Sequence, residues 1–579
     1  MFPERFARTR IQYAALILGI LFFRFGRAVE QSSVQQAGIN SSGQGIVTYI
    51  AESWRKLTRS TEDCASLVDP KLANITKTVV YLPRHMRPTA RLEALQTECK
   101  VQIEILPREI VHLGDISPDS LPHPGLLYLP NPYVVPGGRF NEMYGWDSYF
   151  IVRGLVDAGD LDLARSMVEN FFFEIENYGA ILNANRTYYL TRSQPPFLTS
   201  MILAVYDAEK MVGHADREWL IRAYSYAQRD YAQWTRAPKL AGNTGLSRYF
   251  DVGTGPVPEI ADDPTYYATV AGWLIAHPGI STGYLAMKNG NSGNNRNHGT
   301  GIGPEIHVPN CQSPACQNGD RVRFTADYYE GDRAMRESGF DVSFRFGPFS
   351  GSTHHFAPVC LNSLLYKAEK DLEEMARLLD RPQEALAWRH SAALRRKRIN
   401  RFLWNPRLGI FTDYNFYTGR SSVYRYATTF YPLWTGLATK AQANAIMKNV
   451  STFELPGGIS MSGNQTGVQW DKPYAWAPIQ MLAVEGMRRY GFGVEAGRIT
   501  KEFLSMVEEN FLRDGTIREK YNALTRSSEV NVAAGYQSNV IGFGWTNASF
   551  MVLLHELTPE DQKQMLANPK PLAASTPWR

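Results

Sequence analysis

The feature that most constrains the fold is a succession of apolar residues at helical spacing along most of the chain. The pattern is clearest between residues 160 and 178, where an apolar side chain recurs every fourth position from Leu163 to Ile175 and Gly179 follows at the place of a helix C-cap. Similar patterns predict helices over residues 361–379, 382–404, 479–490 and 499–511. Because the helices follow no fixed period and strand-like alternation is scarce, one large all-α domain is predicted rather than a solenoid.

The composition excludes some classes of protein. Hydrophobic residues make up 44% of the chain and charged residues 20%, which is ordinary for a folded protein with a large core. A net charge of +5 over 579 residues is a weak bias, and no domain-sized basic stripe accompanies it. We therefore expect no nucleic-acid partner.

The N-terminus carries a targeting pattern. Three arginines within the first ten positions precede an apolar run over residues 11–23, which is short for a membrane span. A signal peptide over residues 1–28 is predicted, and an uncleaved signal anchor is the alternative because Arg24 and Arg27 fall in the cleavage region. The expected destination is the secretory route, with release, retention at the cell surface or delivery to a vacuole-like compartment. Membrane contact is expected only if the signal stays uncleaved.

The remaining chain is divided into three parts. Residues 29–115 are predicted to form an N-terminal extension packed on the main body, residues 116–560 the catalytic domain, and residues 561–579 a polar tail. A glycoprotein on the secretory route would carry glycans at some of the sequons. These stand at Asn40, Asn74, Asn185, Asn449, Asn464 and Asn547.

The cysteines are too few for a disulfide scaffold. Cys311 and Cys316 lie close together in sequence and could form a small local disulfide. His298 and His307 nearby raise zinc binding as an alternative, but the spacing matches no standard structural finger. No metal and no cofactor are expected.

Five loop segments combine acidic residues with Arg, Trp and Tyr. Hydrolysis of a glycosidic bond usually needs two carboxyl groups, and a sugar ring is held by hydrogen-bonding groups on its hydroxyls and by flat apolar rings on its face. Five such segments along one helical domain are hard to explain by packing alone. They are PGGRFNEMYGWDSYF (136–150), ANRTYYLTRSQPPFL (184–198), RAMRESGFDVSFRFG (333–347), QWDKPYAWAP (469–478) and IREKYN (517–522).

These segments resemble those of the α,α-trehalases, and similarity runs from roughly Leu126 to Phe550. The first and fourth segments look like the two signature sequences of that family, and the other three follow in the family's order. The lead-in GLLYLPNPYVVPGGRF and the stretch NSLLYKAEKD look more like the fungal branch. The resemblance implies an (α/α)₆ barrel and the hydrolysis of α,α-trehalose to two glucose molecules. Trehalose is then the expected small-molecule partner.

The resemblance also implies roles for individual residues. Asp341 would be the general acid and Glu519 the general base of an inverting reaction, with the two carboxyls about 6.5–9.5 Å apart. Substrate contacts are expected from the other matched positions. These are Arg139, Trp146, Asp147, Asn183, Arg192, Ser193, Gln194, Glu305, Arg333, Gly339 and Trp470.

Several alternatives stay open at this point. Trp476 could be a core aromatic residue and Arg192 a structural ion-pair partner. Gly535 stands where the family usually has a glutamate, which puts one substrate hydrogen bond in doubt. An inverting hydrolase of another α-glucoside is one competing function, and a non-catalytic sugar-binding protein is another.

Overall fold

A computed structural model describes residues 42–70, 77–259, 265–279, 283–287, 301–316, 319–535 and 538–567. The predicted signal peptide over residues 1–28 lies outside the described residues, and so does the predicted tail beyond residue 567. From Ser42 onward the chain forms one compact unit, so the part of the predicted extension that is described belongs to the same body as the catalytic domain. The boundary at residue 116 stays a prediction.

Helices dominate the described residues. They are α1 (Ser42–Leu57), α2 (Cys64–Leu67), α3 (Ala90–Glu98), α4 (Asp147–Asp157), α5 (Leu161–Asn177), α6 (Leu198–Met211), α7 (Arg217–Trp234), α8 (Tyr266–Ala276), α9 (Ala326–Glu337), α10 (Val359–Leu378), α11 (Pro382–Phe402), α12 (Tyr431–Trp434), α13 (Lys440–Lys448), α14 (Ala477–Arg489), α15 (Gly493–Asp514), α16 (Gly544–His555) and α17 (Pro559–Ala567).

The strands are short. They are β1 (Thr58–Arg59), β2 (Val79–Leu82), β3 (Gln102–Ile105), β4 (Leu126–Leu127), β5 (Tyr133–Val134), β6 (Gly301–His307), β7 (Arg321–Thr325), β8 (Phe356–Ala357), β9 (Trp404–Asn405), β10 (Ile410–Phe411), β11 (Tyr414–Asn415), β12 (Arg420–Ser421), β13 (Glu454–Leu455), β14 (Gly458–Ile459), β15 (Tyr474–Trp476) and β16 (Lys520–Asn522).

Six helices close a ring. In chain order they are α4, α6, α10, α12, α14 and α16; each packs on the next, and α16 returns to α4. Helices α5, α7, α11, α15 and α1 pack outside this ring against one or more of its members. This arrangement is the (α/α)₆ barrel that the resemblance implied, and the all-α fold is confirmed.

Burial separates the two layers. The ring helix α16 buries ten of its twelve residues, whereas the outer helix α11 buries four of its 21. A helix that is apolar around most of its circumference must be enclosed, and a helix with one apolar stripe can face water. The outer layer therefore shields a ring that could not stand in solvent alone.

The helices that the apolar spacing predicted are present with small shifts at their ends. The pattern over residues 160–178 corresponds to α5, whose N-cap Asp160 accepts a hydrogen bond from the backbone N–H of Leu163. The predicted helices that begin at residues 361, 382, 479 and 499 correspond to α10, α11, α14 and α15. Cap residues and a 3.6-residue period therefore located five of these helices from the sequence, two of them in the ring.

The N-terminal part contains structure that the sequence did not indicate. Helix α1 buries Trp54 and packs on α15, α16 and α17. Strands β3, β2 and β4 form a small parallel sheet in that order, joined between β2 and β3 by α3. Parallel strands need a crossover connection, and α3 supplies it.

The disulfides and the C-terminal helix can be compared with what the sequence predicted. Cys311 pairs with Cys316, as predicted, and Cys64 pairs with Cys99, which the sequence did not suggest. The predicted polar tail does not begin as an irregular segment, because α17 continues to Ala567 and Lys501 donates to Asp561 at 2.6 Å. Among the described residues, no helix combines the length and apolar character needed to cross a membrane.

Candidate active site

A pocket lies at the N-terminal ends of several of the ring helices. Asp147 is the first residue of α4, Trp476 immediately precedes α14, and Trp545 is the second residue of α16. The partial positive charge of helix N-termini favours acidic groups at this end of the barrel. Seven of the thirteen sequence-predicted site residues line the pocket: Trp146, Asp147, Gln194, Gly339, Asp341, Trp470 and Glu519.

Three carboxyl groups meet in this pocket, although their positions in the sequence are far apart. Asp147, Asp341 and Glu519 all line it. Burial raises the pKa of Asp147 well above its usual range, and the nearby carboxylates of Glu519 and Asp341 add to the effect. Asp147 is therefore protonated more readily than an ordinary aspartate and can donate as well as accept a hydrogen bond. The predicted 6.5–9.5 Å separation of Asp341 and Glu519 stays a prediction.

Asp341 is held from two sides. Its carboxylate lies 3.9 Å from the guanidinium of Arg336, and its backbone carbonyl accepts a hydrogen bond from the side chain of Gln469. Its side chain keeps 18% of its surface exposed, the exposed part facing the pocket that it lines. Arg336 therefore places a positive charge beside the carboxylate that lines the pocket.

Gly339 allows the approach of Asp341 to the aromatic wall. Its φ is +75°, a left-handed conformation that residues with a Cβ rarely adopt. A Cβ at this position would also lie 2.9 Å from the indole of Trp146. The turn that carries Asp341 therefore requires glycine for two separate reasons.

Glu519 is fixed through its backbone. Its N–H donates to the carbonyl of Val540 at 3.0 Å, and its carbonyl accepts from the indole N–H of Trp545 at 3.2 Å. The next residue, Lys520, pairs with Trp476 in the antiparallel β15–β16 ribbon. Because successive strand residues face opposite ways, this register sets the side on which the Glu519 carboxylate emerges.

Lys520 is a buried cation beside that carboxylate. Its ammonium nitrogen lies 3.5 Å from Glu519 Oε2 and donates to Gln469 Oε1 at 3.0 Å. Burial lowers the pKa of Lys520 and the attraction of Glu519 opposes this. Together with the bond from Gln469 to Asp341, the chain Glu519–Lys520–Gln469–Asp341 links the two proposed catalytic groups through contacts behind the pocket.

An aromatic wall encloses the carboxyl groups. The indoles of Trp470 and Trp476 are stacked with centroids 3.8 Å apart and planes 5° apart. Trp146 contacts Trp470 at 5.9 Å and Trp545 at 5.7 Å. Phe340 meets Trp470 edge-on at 5.2 Å. Trp476 therefore lines the pocket and packs in the core at once, so the two alternatives for it do not exclude each other.

A second polar group lies just behind the lining. Arg192 donates to Asn183 Oδ1 at 2.8 Å and is paired with the carboxylate of Glu259. Gln194 accepts the backbone N–H of Trp146 at 2.9 Å and so positions that indole. Ser193 is fully buried and donates to the carbonyl of Ile181 at 2.6 Å. In this structure Arg192 and Ser193 are engaged by the protein, as the ion-pair alternative for Arg192 anticipated.

Three predicted substrate contacts lie elsewhere. Arg333 on α9 is buried against Asp251 at 3.1 Å, and Glu305 on β6 pairs with Arg321 at 3.2 Å and Arg323 at 3.5 Å. Neither lines the pocket. Arg139 is also absent from the lining; it donates to Ser538 at 3.2 Å, although its charge reaches Lys520.

Sequence reasoning missed four residues next to the predicted ones. Gln469, Lys520 and Arg336 stood inside the five segments, and their contacts with the carboxyls were the missing information. Glu259 stood outside them. Burial opposes its ionisation, but the guanidiniums of Arg192 and Arg336 lower the pKa of Glu259. Glu259 follows a proline, as Glu305 does, and that pair was the only signal available.

Gly535, the departure from the family pattern, lies beside this network. Its φ is +112°, and a Cβ there would meet the side chain of Gln469 at 2.8 Å. Two sequons are closed by packing: Asn185 and Asn547 are fully buried, and Asn185 Nδ2 donates to the carbonyl of Leu127 at 2.9 Å. Neither position has room for a glycan.

Comparison with known proteins places the chain among characterised relatives. The family model described as Trehalase matches residues 30–269 and 312–558. A probable trehalase from Eremothecium gossypii is 37% identical over 76% of this chain, and the cytosolic neutral trehalase of Saccharomyces cerevisiae is 34% identical over 82%. The chain spans 59% and 65% of the lengths of these two relatives.

One solved structure is matched over a larger share of its own length than these two relatives are. The neutral trehalase Nth1 from Saccharomyces cerevisiae superposes with a TM-score of 0.72 at 30% identity, covering 92% of this chain and 97% of that one. The fold of this chain is therefore similar to that of this neutral trehalase over almost the whole length of both.

The predicted destination is contradicted by these relatives. Proteins similar to this chain from Saccharomyces cerevisiae, Beauveria bassiana and Neurospora crassa are named cytosolic neutral trehalases. The prediction of the secretory route, with release, cell-surface retention or a vacuole-like compartment, is therefore wrong. Its physical basis was thin, because Arg24 and Arg27 occupy the region where a signal peptide has small neutral residues.

Proposed function

Since the chain belongs to the trehalase family, we propose that it hydrolyses α,α-trehalose to two glucose molecules with inversion at one anomeric carbon. Asp341 is the general acid and Glu519 the general base. The observation that carries the proposal is that these two groups, 178 residues apart in sequence, line one pocket together with Asp147.

The reaction requires two proton transfers on opposite sides of one sugar ring. Asp341 gives its proton to the bridging oxygen as the bond from that oxygen to the anomeric carbon breaks. Glu519 takes a proton from a water molecule whose oxygen forms the new bond at the same carbon. One glucose leaves as the α anomer and the other forms as the β anomer. Proton exchange with solvent then returns Asp341 to the acid form and Glu519 to the base form.

The pocket wall suits both the ground state and the transition state. The flat indoles of Trp146 and Trp470 cover the apolar face of a glucose unit, while Asp147 and Gln194 offer hydrogen bonds to hydroxyls. A ring of aromatic residues also keeps the local dielectric low, and positive charge developing on the sugar is then attracted more strongly by the buried carboxylates. Binding and chemistry are thereby concentrated at the same end of the barrel.

Six of the predicted site residues do not line the pocket. They are Arg139, Asn183, Arg192, Ser193, Glu305 and Arg333. Arg192 and Asn183 support this pocket from behind, through Glu259 and through each other. Arg333 holds the segment at Asp251. We assign Arg139 an electrostatic effect on Lys520, and we assign Glu305 no role in substrate binding.

The test is direct observation of the first-formed anomers by proton NMR with purified protein and trehalose. We expect equal early amounts of α- and β-glucose. Asp341→Asn and Glu519→Gln should each lower kcat by roughly 10²–10⁴-fold, the usual contribution of general acid–base catalysis. Asp380→Asn is the matched control, because that side chain is 88% exposed and far from the pocket lining.

Each contrary outcome has a distinct meaning. Glucose from another α-glucoside but not from trehalose would assign a different substrate to the same barrel. Two α anomers in equal early amounts would overturn inversion. Folded protein that binds trehalose without releasing glucose would be a sugar-binding protein, the third possibility raised by Gly535.

A further inference from the structure

A cluster of two histidines and two carboxylates lies outside the pocket. Asp327 lies in the first turn of α9 and Glu330 follows three residues later, and both face the 3₁₀ turn Thr353–His355. Nε2 of His354 lies 3.0 Å from Asp327 Oδ1 and 3.7 Å from Glu330 Oε2. Nε2 of His355 lies 3.3 Å from the same oxygen of Asp327.

These separations can be compared with the geometry of a metal centre. Zinc binds His nitrogen and carboxylate oxygen at about 2.0–2.2 Å with tetrahedral geometry, so neighbouring ligand atoms are separated by about 3.3–3.6 Å. The three separations above bracket that range, and the ligand atoms of Asp327, His354 and His355 all lie within 4.8 Å of one another. Little rearrangement is needed for these atoms to surround one ion.

The chemistry of the group points to a particular class of ion. Two imidazole nitrogens and two carboxylate oxygens suit zinc and its neighbours in the first transition series. Calcium and magnesium take oxygen ligands and would leave the imidazoles unused.

Access and local charge are also suitable. The carboxylates of Asp327 and Glu330 are each 46% exposed, whereas His354 is 2% exposed. An ion can enter from the solvent side and meet fixed histidines on the protein side. Arg248, which donates to the carbonyl of His354 at 2.9 Å, is a nearby cation that opposes binding, but the two carboxylates outweigh its single charge.

We propose that Asp327, His354 and His355, with Glu330 as the fourth ligand, form a structural binding site for a divalent cation of the zinc class. Because the protein supplies all four ligands, the ion has no coordination position open to a substrate, which is typical of a structural site. The ion would join the start of α9 to the turn before β8. Residues 338–352, which carry Asp341, lie between these two points in the chain, so the site closes the loop that presents the proposed general acid.

The test uses the tag-free full-length protein after EDTA treatment and transfer to metal-free buffer. Titration with Co²⁺ should produce visible d–d absorption of four-coordinate cobalt that saturates at one ion per chain, and Zn²⁺ should displace it. Asp327→Asn and His354→Gln should each weaken Co²⁺ binding by at least about tenfold, because each removes one of four ligands. Thermal unfolding should shift to higher temperature with Zn²⁺ in the unmodified protein.

Controls separate this site from adventitious binding. His390→Gln removes an exposed histidine of α11 that has no carboxylate cluster around it and should bind Co²⁺ as the unmodified protein does. Glu330→Gln alters an exposed ligand, so it gives an independent result if His354→Gln fails to fold by circular dichroism. Absence of four-coordinate absorption would overturn the site and leave an ordinary ion-pair cluster. So would Co²⁺ binding by Asp327→Asn and Glu330→Gln that is as tight as binding by the unmodified protein.

Discussion

The ammonium nitrogen of Lys520 lies 3.5 Å from a carboxylate oxygen of Glu519, and both side chains are almost completely buried. Lys520 therefore contacts the proposed base directly, and it also donates to Gln469 Oε1 at 3.0 Å. Lys520→Met keeps the side-chain volume and removes both contacts. We expect kcat/KM to fall by at least about tenfold, because a small displacement of a group that acts on the substrate is enough to slow the reaction.

The control for Lys520→Met is Lys397→Met, which removes the same charge from the exposed face of α11. It should leave kcat/KM unchanged, since solvent-exposed charges more than about 10 Å apart are largely screened by salt. Steady-state kinetics of the two variants provide the test, and an unchanged kcat/KM for Lys520→Met would mean that Lys520 does not position Glu519 or Gln469.

Gly339→Ala should lower both stability and kcat/KM, and a control variant separates the two effects. The substitution forces a Cβ into φ +75° and brings it 2.9 Å from the indole of Trp146. Gly213→Ala is the matched control, because Gly213 has φ +83° and open space where the Cβ would lie. Both variants should lose about 1–2 kcal/mol of stability from backbone strain. Only Gly339→Ala should also lower kcat/KM by more than about tenfold; equal effects would mean that the contact with Trp146 is unimportant.

The helices could be predicted because burial of one helix face leaves a 3.6-residue period that is visible in a short window. Helix α5 shows this with its Asp160 cap. Closure of the ring could not be predicted in this way, since α16 meets α4 across nearly 400 residues and no local pattern encodes that contact. Strands of two residues, such as β13 and β14, are likewise too short to show alternation.

The site residues show the same contrast between what a local sequence pattern predicts and what only the tertiary structure shows. Motif matching identified Asp147, Asp341 and Glu519, which line one pocket, because each lies in a segment that resembles the family. It selected Glu305, which follows proline as Glu259 does, and only the tertiary structure shows that Glu259 is the residue that meets Arg192. Contacts made behind the pocket, such as Lys520 with Gln469, depend on strand register and are not written in any one segment.

Glu259 and Glu305 therefore give opposite predictions. Glu259→Gln removes the charge that holds Arg192, so kcat/KM should fall by at least about tenfold through misplacement of the groups behind the pocket. Glu305→Gln affects a partly exposed pair with Arg321 and should change both KM and stability little. Measurement of steady-state kinetics and thermal unfolding for the two variants decides the assignment. A raised KM for Glu305→Gln alone would restore the role that the sequence suggested.

Glu174 predicts how stability depends on pH. Burial raises its pKa from 4.5 to about 8, and one of its carboxylate oxygens has no hydrogen-bond partner. The folded state therefore holds this proton more tightly than the unfolded state, so the contribution of Glu174 is intact below about pH 4.5 and is lost as pH rises toward 8. The loss by pH 8 is about 5 kcal/mol as an order of magnitude, at 1.36 kcal/mol per unit.

Glu174→Gln should remove this dependence, since glutamine has nearly the same shape and cannot ionise. Thermal unfolding measured from pH 5 to pH 8 should show the variant close to the unmodified protein at pH 5 and increasingly more stable as pH rises. Glu176→Gln, two positions along α5 and 53% exposed in its pair with Arg229, should show no such trend, because an exposed ion pair contributes little. A constant difference between Glu174→Gln and the unmodified protein across this range would show that Glu174 stays protonated, or stays ionised, at every pH tested.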